Sequence, residues 1–332
     1  MTIYDIAREA GVSASTVSRV INKKKGVNSE KRILIEGLLK KYNFEPDASA
    51  RGLVQQSTKI IGILMSDIRT SHHAEGAYYI EQELKKHGYT CIIINSGFSD
   101  ETREESIRTL FSRRVEAVML IGSTFQTENM KKAIQKYFNN LPVIIENGFI
   151  DLPNVYCVLA DEQNGIADCV RLLHAKGKKH TAFINLADTT PSSSLKALGY
   201  ETAAKTLYPN QIPCISRINA GSDEWQSGYD ATLKLMEKYP ETDGIIYATD
   251  LLANAGVLAL QRAGYRIPEH ISVIGVDNSI YARISSPPLT SLDNQLELLS
   301  ITCSHVLVKV LNGEKTANKI MLLSNIVERK ST

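Results

Sequence analysis

The sequence predicts an all-α head followed by an α/β body whose parallel sheets fall into two subdomains, and three observations predict it. Residues 1–44 hold three short stretches with apolar residues three and four apart and no strand pattern. Residues 45–58 (EPDASARGLVQQST) are small, polar and weakly apolar, as in a linker. From Lys59 onward, unbroken β-branched runs alternate with amphipathic helical stretches, the pattern of parallel sheets covered on both faces.

Within the head, helices are expected over 3–10, 14–22 and 30–42. The linker begins with Pro46 at its entry. In the body, KIIGILM, TCIIIN, EAVMLI and PVIIE are separated by helical stretches over 74–87, 101–113 and 127–138. A second series begins with YCVLA and continues through HTAFIN, CISRI, GIIYA and ISVIGV, with helices over 162–176, 195–207, 224–239 and 250–263. Ligands of such folds sit at the carboxyl ends of the strands. The loops to examine are therefore 66–73, 122–126, 146–149, 185–194, 248–250 and 276–279.

At 332 residues, with 43% hydrophobic and 22% charged, the chain is long enough for two or three domains, and disordered and fibrous classes are excluded. The formal net charge of +2 divides unevenly. Residues 1–59 carry 11 Lys and Arg against 6 Asp and Glu, a local +5 that leaves −3 for the remainder. A nucleic-acid contact explains positive charge concentrated in this way. Asp5, Arg8 and Glu9 interrupt any apolar signal-peptide core, and no apolar run is long enough to span a bilayer, so the expectation is a cytoplasmic protein without a membrane partner. The five cysteines (Cys91, Cys157, Cys169, Cys214 and Cys303) are odd in number, widely spaced and set in apolar segments, which reads as reduced core residues. Neither a metal site nor a cofactor is signalled.

The segment from Ile3 to Ile21 carries the most specific local pattern. A helix-turn-helix needs a small residue where its second helix crosses the first, a turn residue free to take positive φ, and inward apolar residues on either side. Ala7, Gly11, and the set Ile6, Ala10, Val12, Val17 and Val20 meet these demands. Thr2 is placed to cap the first helix with Asp5 three residues on, and Ser13 to cap the second. The second helix would then present Ala14, Ser15, Ser18, Arg19 and Asn22 outward, small and hydrogen-bonding side chains with one arginine, suited to a major groove. Arg19 can donate two hydrogen bonds to a guanine, whereas Ala14 and Ser15 reach only a thymine methyl or one base edge. Thr2, Tyr4, Ser13, Thr16, Asn22 and the three lysines at 23–25 suit phosphates. Any three-helix bundle has similar spacing, and there the same polar face would simply meet water.

The string TIYDIAREAGVSASTVSRVIN followed by PDASARGL resembles the DNA-binding head and hinge of the LacI/GalR family of bacterial transcription regulators, and the α/β body matches the rest of that layout. The resemblance implies a helix-turn-helix domain over 1–45, a hinge over 46–58, and a body like a periplasmic sugar-binding protein. In that body one subdomain would comprise 59–160 and 291–318, the other 161–290 and 319–332. It also implies a homodimer, or a pair of dimers, reading a near-palindromic operator. No long heptad tail follows the final strand-like segment KIMLLSNIVERKST, which favours the dimer. In the family's hinge a short helix forms only on the operator and wedges a leucine into the minor groove; Leu53 falls there, with Ala50 beside it in the DNA-contacting segment. A hinge of eight or nine residues containing Gly52 is too short for a stable helix in water, so folding on DNA is physically reasonable. An apolar wedge unstacks a base step in exchange for a bent, more extensively contacted site.

In the body the resemblance places an effector in the cleft between subdomains, with closure as the switch. Asp277, in GVDN after a strand, corresponds to a carboxylate that accepts hydrogen bonds from the ligand. Thr249 corresponds to a ligand-contacting polar residue, and Asp250 beside it is expected to cap the helix. Ser123 and Asn147 end two strands and are plausible hydroxyl partners. The chain departs from the family at three places. Lys196 stands where an arginine is usual, three residues before Gly199 and Tyr200, replacing a bidentate fork by a point charge. His72 and His73 stand where aromatic residues often line the cleft, and Asp223 holds another aromatic position, with Trp225 two residues on. Lysine and two histidines would meet a phosphorylated or acidic sugar. Alternatively, the body answers to a phosphocarrier protein, as catabolite control proteins of the family do. The plain reading leaves the histidines in an exposed loop and Lys196 solvated. Adjacent histidines make a poor metal pair.

Doubly wound folds are often enzymes, yet GxGxxG, GxxxxGK[ST], GxSxG and HExxH are all missing from the sequence. Taken together, the residues and the resemblance predict a non-enzymatic, operator-binding regulator, a repressor of carbohydrate-use genes switched by a sugar or sugar phosphate.

Overall fold

The computed structural model describes residues 1–21, 23–44, 57–187, 190–219 and 223–332. Its contacts divide the chain into two compact units, Met1–Lys59 and Ile60–Thr332.

The first unit contains α1 (Ile3–Glu9), α2 (Ala14–Ile21) and α3 (Ser29–Lys41). Thr2 caps α1 reciprocally: its side chain accepts from the Asp5 N–H, and its own N–H donates to the Asp5 carboxylate at 2.8 Å. Gly11 then turns the chain at φ +63°, a conformation that costs glycine little. Ahead of α2, Ser13 accepts the Thr16 N–H, and ahead of α3 Asn28 accepts that of Glu30. Ile6, Ala7, Ala10, Val17, Val20, Ile35 and Leu38 form one buried cluster among the three helices. The far end of α3 is tied back to α1 by Tyr42 and Lys41, which both donate to Glu9, at 3.0 and 3.1 Å.

The second unit contains two six-stranded sheets. In chain order the strands of the first are β1 (Ile60–Met65), β2 (Thr90–Asn95), β3 (Ala117–Ile121), β4 (Val143–Glu146) and β5 (Val155–Ala160), joined later by β11 (Lys319–Leu322). They lie in the order β11-β5-β4-β3-β1-β2, all parallel. The second sheet comprises β6 (Thr181–Leu186), β7 (Cys214–Ile218), β8 (Gly244–Tyr247), β9 (Ser272–Val276), β10 (Thr290–Asp293) and β12 (Asn325–Val327), in the order β12-β10-β9-β8-β6-β7, with only β12 antiparallel to its neighbour. Around the first sheet pack α4 (Ser71–Lys86), α5 (Asp100–Ser112), α6 (Glu128–Tyr137) and α12 (Leu296–Leu311); around the second, α7 (Glu162–Ala175), α8 (Pro191–Leu207), α9 (Glu224–Lys238), α10 (Asp250–Arg262) and the short α11 (Ile280–Ile284).

Strand alternation explains the burial. Ile61, Ile63 and Met65 of β1 join α4 and α12, whereas Leu64 faces α5 and α6, so both faces are dry and the strands read as continuous apolar runs. All five cysteines are free, three of them buried. Among the described residues, no helix is long and apolar enough to cross a membrane.

Three expectations need correction. YCVLA closes the first sheet beside β4 rather than opening the second series. Residues 291–293 lie in β10 of the second sheet, and 319–322 lie in β11 of the first, opposite to the subdomain limits expected from the resemblance. The chain therefore changes sheets between β5 and α7, between β10 and α12, and between β11 and β12. No helix was expected over 296–311, because β-branched residues at 301, 302, 306, 308 and 310 dilute its helical character even though its inward face is buried.

Candidate functional site

Two surfaces carry the candidate residues, one on each unit. On the first, α2 presents exposed Ser13, Ser15 and Arg19 beside partly buried Ala14, Thr16 and Ser18, while Tyr4 on α1 is 69% exposed. Ser13 is the hub of a hydroxyl cluster, with its Oγ 2.7 Å from that of Ser15 and 2.9 Å from Thr16 Oγ1. The hydroxyl of Thr2 donates to Asp5 at 2.7 Å, so its first duty is the cap. Lys23, Lys24 and Lys25 are exposed beyond α2. Asn22, Ala50 and Leu53 lie outside the described residues.

On the second unit, a cavity of about 270 Å³ opens between the two sheets at the carboxyl ends of their strands. The loop after β1 supplies Asp67, Arg69 and Thr70, and the start of α4 Ser71; the loops before α9, α10 and α11 supply Asp223, Thr249 and Asp277, and the first turn of α9 Trp225. Trp225 donates its indole N–H to Asn254 at 3.2 Å and stacks on Tyr229, with ring centroids 5.8 Å apart. Thr249 caps α10, accepting the Leu252 N–H, and its hydroxyl donates to Glu224 at 2.9 Å. The expected cap at Asp250 is thereby corrected. Asp250 is buried and instead accepts from the Ser279 N–H at 2.7 Å and the Ser291 hydroxyl at 2.7 Å, with burial raising its carboxyl to about 7. Asp277 sits at φ +96° and accepts from Asn294 at 3.3 Å.

The other expected residues, Lys196, His72, His73, Asn147 and Ser123, are not among those that line this cavity and have different roles. Lys196 is buried rather than solvated: its ammonium lies 3.3 Å from a Glu162 oxygen and donates to the Ala248 carbonyl. Burial opposes its charge, but Glu162, Asp277 and Glu224 outweigh that and hold the lysine above its ordinary range. His72 and His73 belong to the first turn of α4, not to an exposed loop. The Nδ1 of His73 lies 2.9 Å from the Asp67 carbonyl, and burial, reinforced by His72, lowers its imidazolium to about 4. His72 faces the buried Glu146 at 3.8 Å. Asn147 accepts the Ala160 N–H, a strand-end tie. Ser123 accepts the Ser192 N–H at 3.4 Å and so links the first sheet's side of the cavity to α8 on the other.

Sequence reasoning missed three of the carboxylates, Asp67, Glu146 and Glu224. Asp67 is gripped by the Arg69 guanidinium, which donates to both of its oxygens and holds it down to about 2. Burial raises Glu224. The flagged loops contained Asp67 and Glu146, but nothing in the local sequence distinguishes a cleft carboxylate from a solvated one.

A three-helix head of helix-turn-helix form, followed by an α/β body of two sheets with a polar cleft between them, is the layout of a class of DNA-binding transcription regulators. Residues 2–47 match the bacterial regulatory proteins of the lacI family, and residues 170–332 match the periplasmic binding protein-like domain. An HTH-type transcriptional regulator of Lachnoclostridium phytofermentans is 31% identical over 336 residues, covering 100% of this chain and 99% of its own. Catabolite control protein A of Priestia megaterium is 28% identical over 335 residues, with 100% and 99% coverage. The Lac repressor dimer bound to operator and the anti-inducer ONPF shares the fold, at a TM-score of 0.88 and 22% identity over 100% of this chain and 98% of that one. The chain belongs to the lacI family, whose members are DNA-binding transcription regulators and not enzymes.

Proposed function

We propose that the protein is a homodimeric repressor of carbohydrate-use genes, reading a near-palindromic operator, and that a neutral, hydroxyl-rich small molecule in the cleft sets its operator affinity. The observation that carries this reading is the charge of the cavity lining. Asp67, Asp223, Glu224, Asp250 and Asp277 line it, and the one lining cation among the described residues, Arg69, is bound by Asp67. Lys196, expected from sequence to meet an anion, is taken by Glu162. A phosphate would therefore face carboxylates, whereas sugar hydroxyls donate to them. Asp277 and Thr249 supply polar contacts, and Trp225 a flat apolar face. Closure around the ligand would shift the balance between two states of the body, and operator affinity follows from the ligand's preference between them.

The test is a thermal-shift screen of the full chain against neutral sugars, sugar phosphates and nucleobases, followed by operator binding with each hit. A ligand that binds only the folded state raises the melting temperature. Neutral sugars should do so and alter operator affinity; hits confined to sugar phosphates would overturn the neutral class. An operator response to a phosphocarrier protein, with no small-molecule hit, would replace the ligand switch by the partner-controlled alternative. On the DNA side, Arg19→Ala should cost about 1–3 kcal/mol of discrimination per half-site, the worth of a bidentate base contact. An equal loss on random duplex would make Arg19 a phosphate contact. Leu53→Ala should weaken operator binding, and unchanged affinity would remove the wedge role.

A further inference from the structure

Away from the cleft, the other end of α4 brings together three metal-ligating side chains that neither unit's function uses. Glu83 lies in the last turn of α4, His87 one turn on at its C-cap, and His305 on the neighbouring α12. The Nε2 of His305 is 3.0 Å from Glu83 Oε1, and the Nε2 of His87 is 3.7 Å from the same oxygen. One donor atom from each residue falls within 4.8 Å of the other two. The two imidazole rings stand nearly perpendicular, at 87°. Tetrahedral bonds of 2.0–2.1 Å to nitrogen and oxygen place donor atoms roughly 3.3 Å apart, so small side-chain rotations suffice to bring the three onto one ion. Glu83 is nearly buried, with its side chain 9% exposed, while those of His87 and His305 are 38% and 52% exposed, which leaves a solvent path to the site. Lys86 donates to the second carboxylate oxygen at 2.6 Å, fixing the carboxylate's orientation while leaving Oε1 for a metal.

We infer that Glu83, His87 and His305 form a mononuclear site for a zinc-class divalent ion, with three protein ligands and a fourth position open to water. Two imidazoles and one carboxylate suit zinc, cobalt, nickel or copper rather than calcium or magnesium, which demand more oxygen ligands. The ion would clamp the C-terminal end of α4 to α12, two helices that otherwise meet through apolar packing on one face of the first sheet. At a rise of 1.5 Å per residue, Glu83 and His87 lie roughly 18 and 24 Å along the axis from Ser71, at the end of α4 that borders the cleft. It is therefore distinct from the effector site. Only the four-residue spacing of Glu83 and His87 is visible locally, because the third ligand is 222 residues away from Glu83.

The experiment uses the chelator-treated, tag-free full chain titrated with Co²⁺ alone and then with Zn²⁺ in competition. One equivalent of Co²⁺ should give the visible d–d absorption of a low-coordinate N/O site, Zn²⁺ should displace it, and Mg²⁺ should not. Zn²⁺ should raise the melting temperature of the parent chain. His305→Ala and His87→Ala, both at exposed positions, should each weaken Co²⁺ binding at least tenfold and abolish the Zn²⁺-induced thermal shift. Far-UV circular dichroism checks that each folds, and either variant alone suffices. X-ray absorption of the zinc-loaded parent chain, which needs no variant, should show two imidazole nitrogens. No Co²⁺ binding up to millimolar concentration would overturn the site, as would undiminished binding in a folded variant or a zinc environment without imidazole.

Discussion

At the scale of single residues, the cleft is governed by where charge is neutralised. The Lys196 ammonium and the Glu162 carboxylate are both buried, and Ser192 also donates to Glu162 at 2.7 Å. Removing one partner of a buried pair leaves the other uncompensated, which costs about 3–5 kcal/mol. Lys196→Met should therefore destabilise the body by that amount in urea unfolding. Adding Glu162→Gln should restore much of it, and a double variant no better than the single one would deny the pairing. Asp250 behaves differently, because burial raises its carboxyl to about 7 from an ordinary 3.8. Between those two values the folded chain holds a proton that the unfolded chain has released, so this residue's effect on stability becomes less favourable as pH rises from about 4 to 7 and levels off above. Asp250→Asn lacks that titration. The stability difference between parent and variant, measured by urea midpoints across that range, should move against the parent with rising pH, and a flat difference would contradict the raised carboxyl.

At the scale of elements, legibility followed periodicity. The three head helices and nine of the strands were readable because each buries a face or both faces, and their apolar residues repeat accordingly. The segment KIMLLSNIVERKST was legible as strand-like but not as two strands, β11 and β12, in different sheets, because β11 pairs with β5 far back in the sequence; β10, four residues long, shows no pattern of its own. The same limit applied to the site. Trp225, Thr249 and Asp277 were found because they follow strands or carry the family pattern; Glu224 and the real duty of Asp250 depend on contacts 25 to 41 residues away. Helix packing shows one sequence feature in a new light. Gly199, noted beside Lys196 only as part of a motif, lies where α8 crosses α7 so closely that a Cβ would collide with the Gln163 carbonyl oxygen. Backbone cannot yield as a side chain can. Gly199→Ala should force the two helices apart and destabilise the body by about 1–3 kcal/mol, the usual range for overpacking. Gly177→Ala provides a contrast, since nothing lies near its missing Cβ and only its φ of +79° is strained. Thermal unfolding should show the Gly199 variant to have lost cooperativity or helix packing that the Gly177 variant keeps.

At the scale of the whole molecule, the net charge of +2 is the sum of a basic head and an acidic body, and the two have separable chemistry. Phosphate contacts of the kind proposed for the head should make operator affinity fall steeply with salt. A neutral ligand of the proposed class, held in the carboxylate-lined cleft through hydrogen bonds, should bind with nearly salt-independent affinity. If the ligand changes operator affinity by some factor, thermodynamic linkage requires the operator to change ligand affinity by the same factor and in the same direction. Asp277→Asn offers the means to test this, because Asp277 lines the cavity, at a cleft position outside the head. The variant should bind operator like the parent chain when no ligand is present, bind the ligand at least tenfold more weakly, and require correspondingly more ligand for the same operator response. Four titrations decide it: ligand with and without operator, and operator with and without ligand, each at two salt concentrations. Unequal coupling factors in the two directions would rule out a simple ligand-linked equilibrium, and an unliganded Asp277→Asn chain that has lost operator affinity would mean that Asp277 supports the operator-binding state itself rather than the ligand.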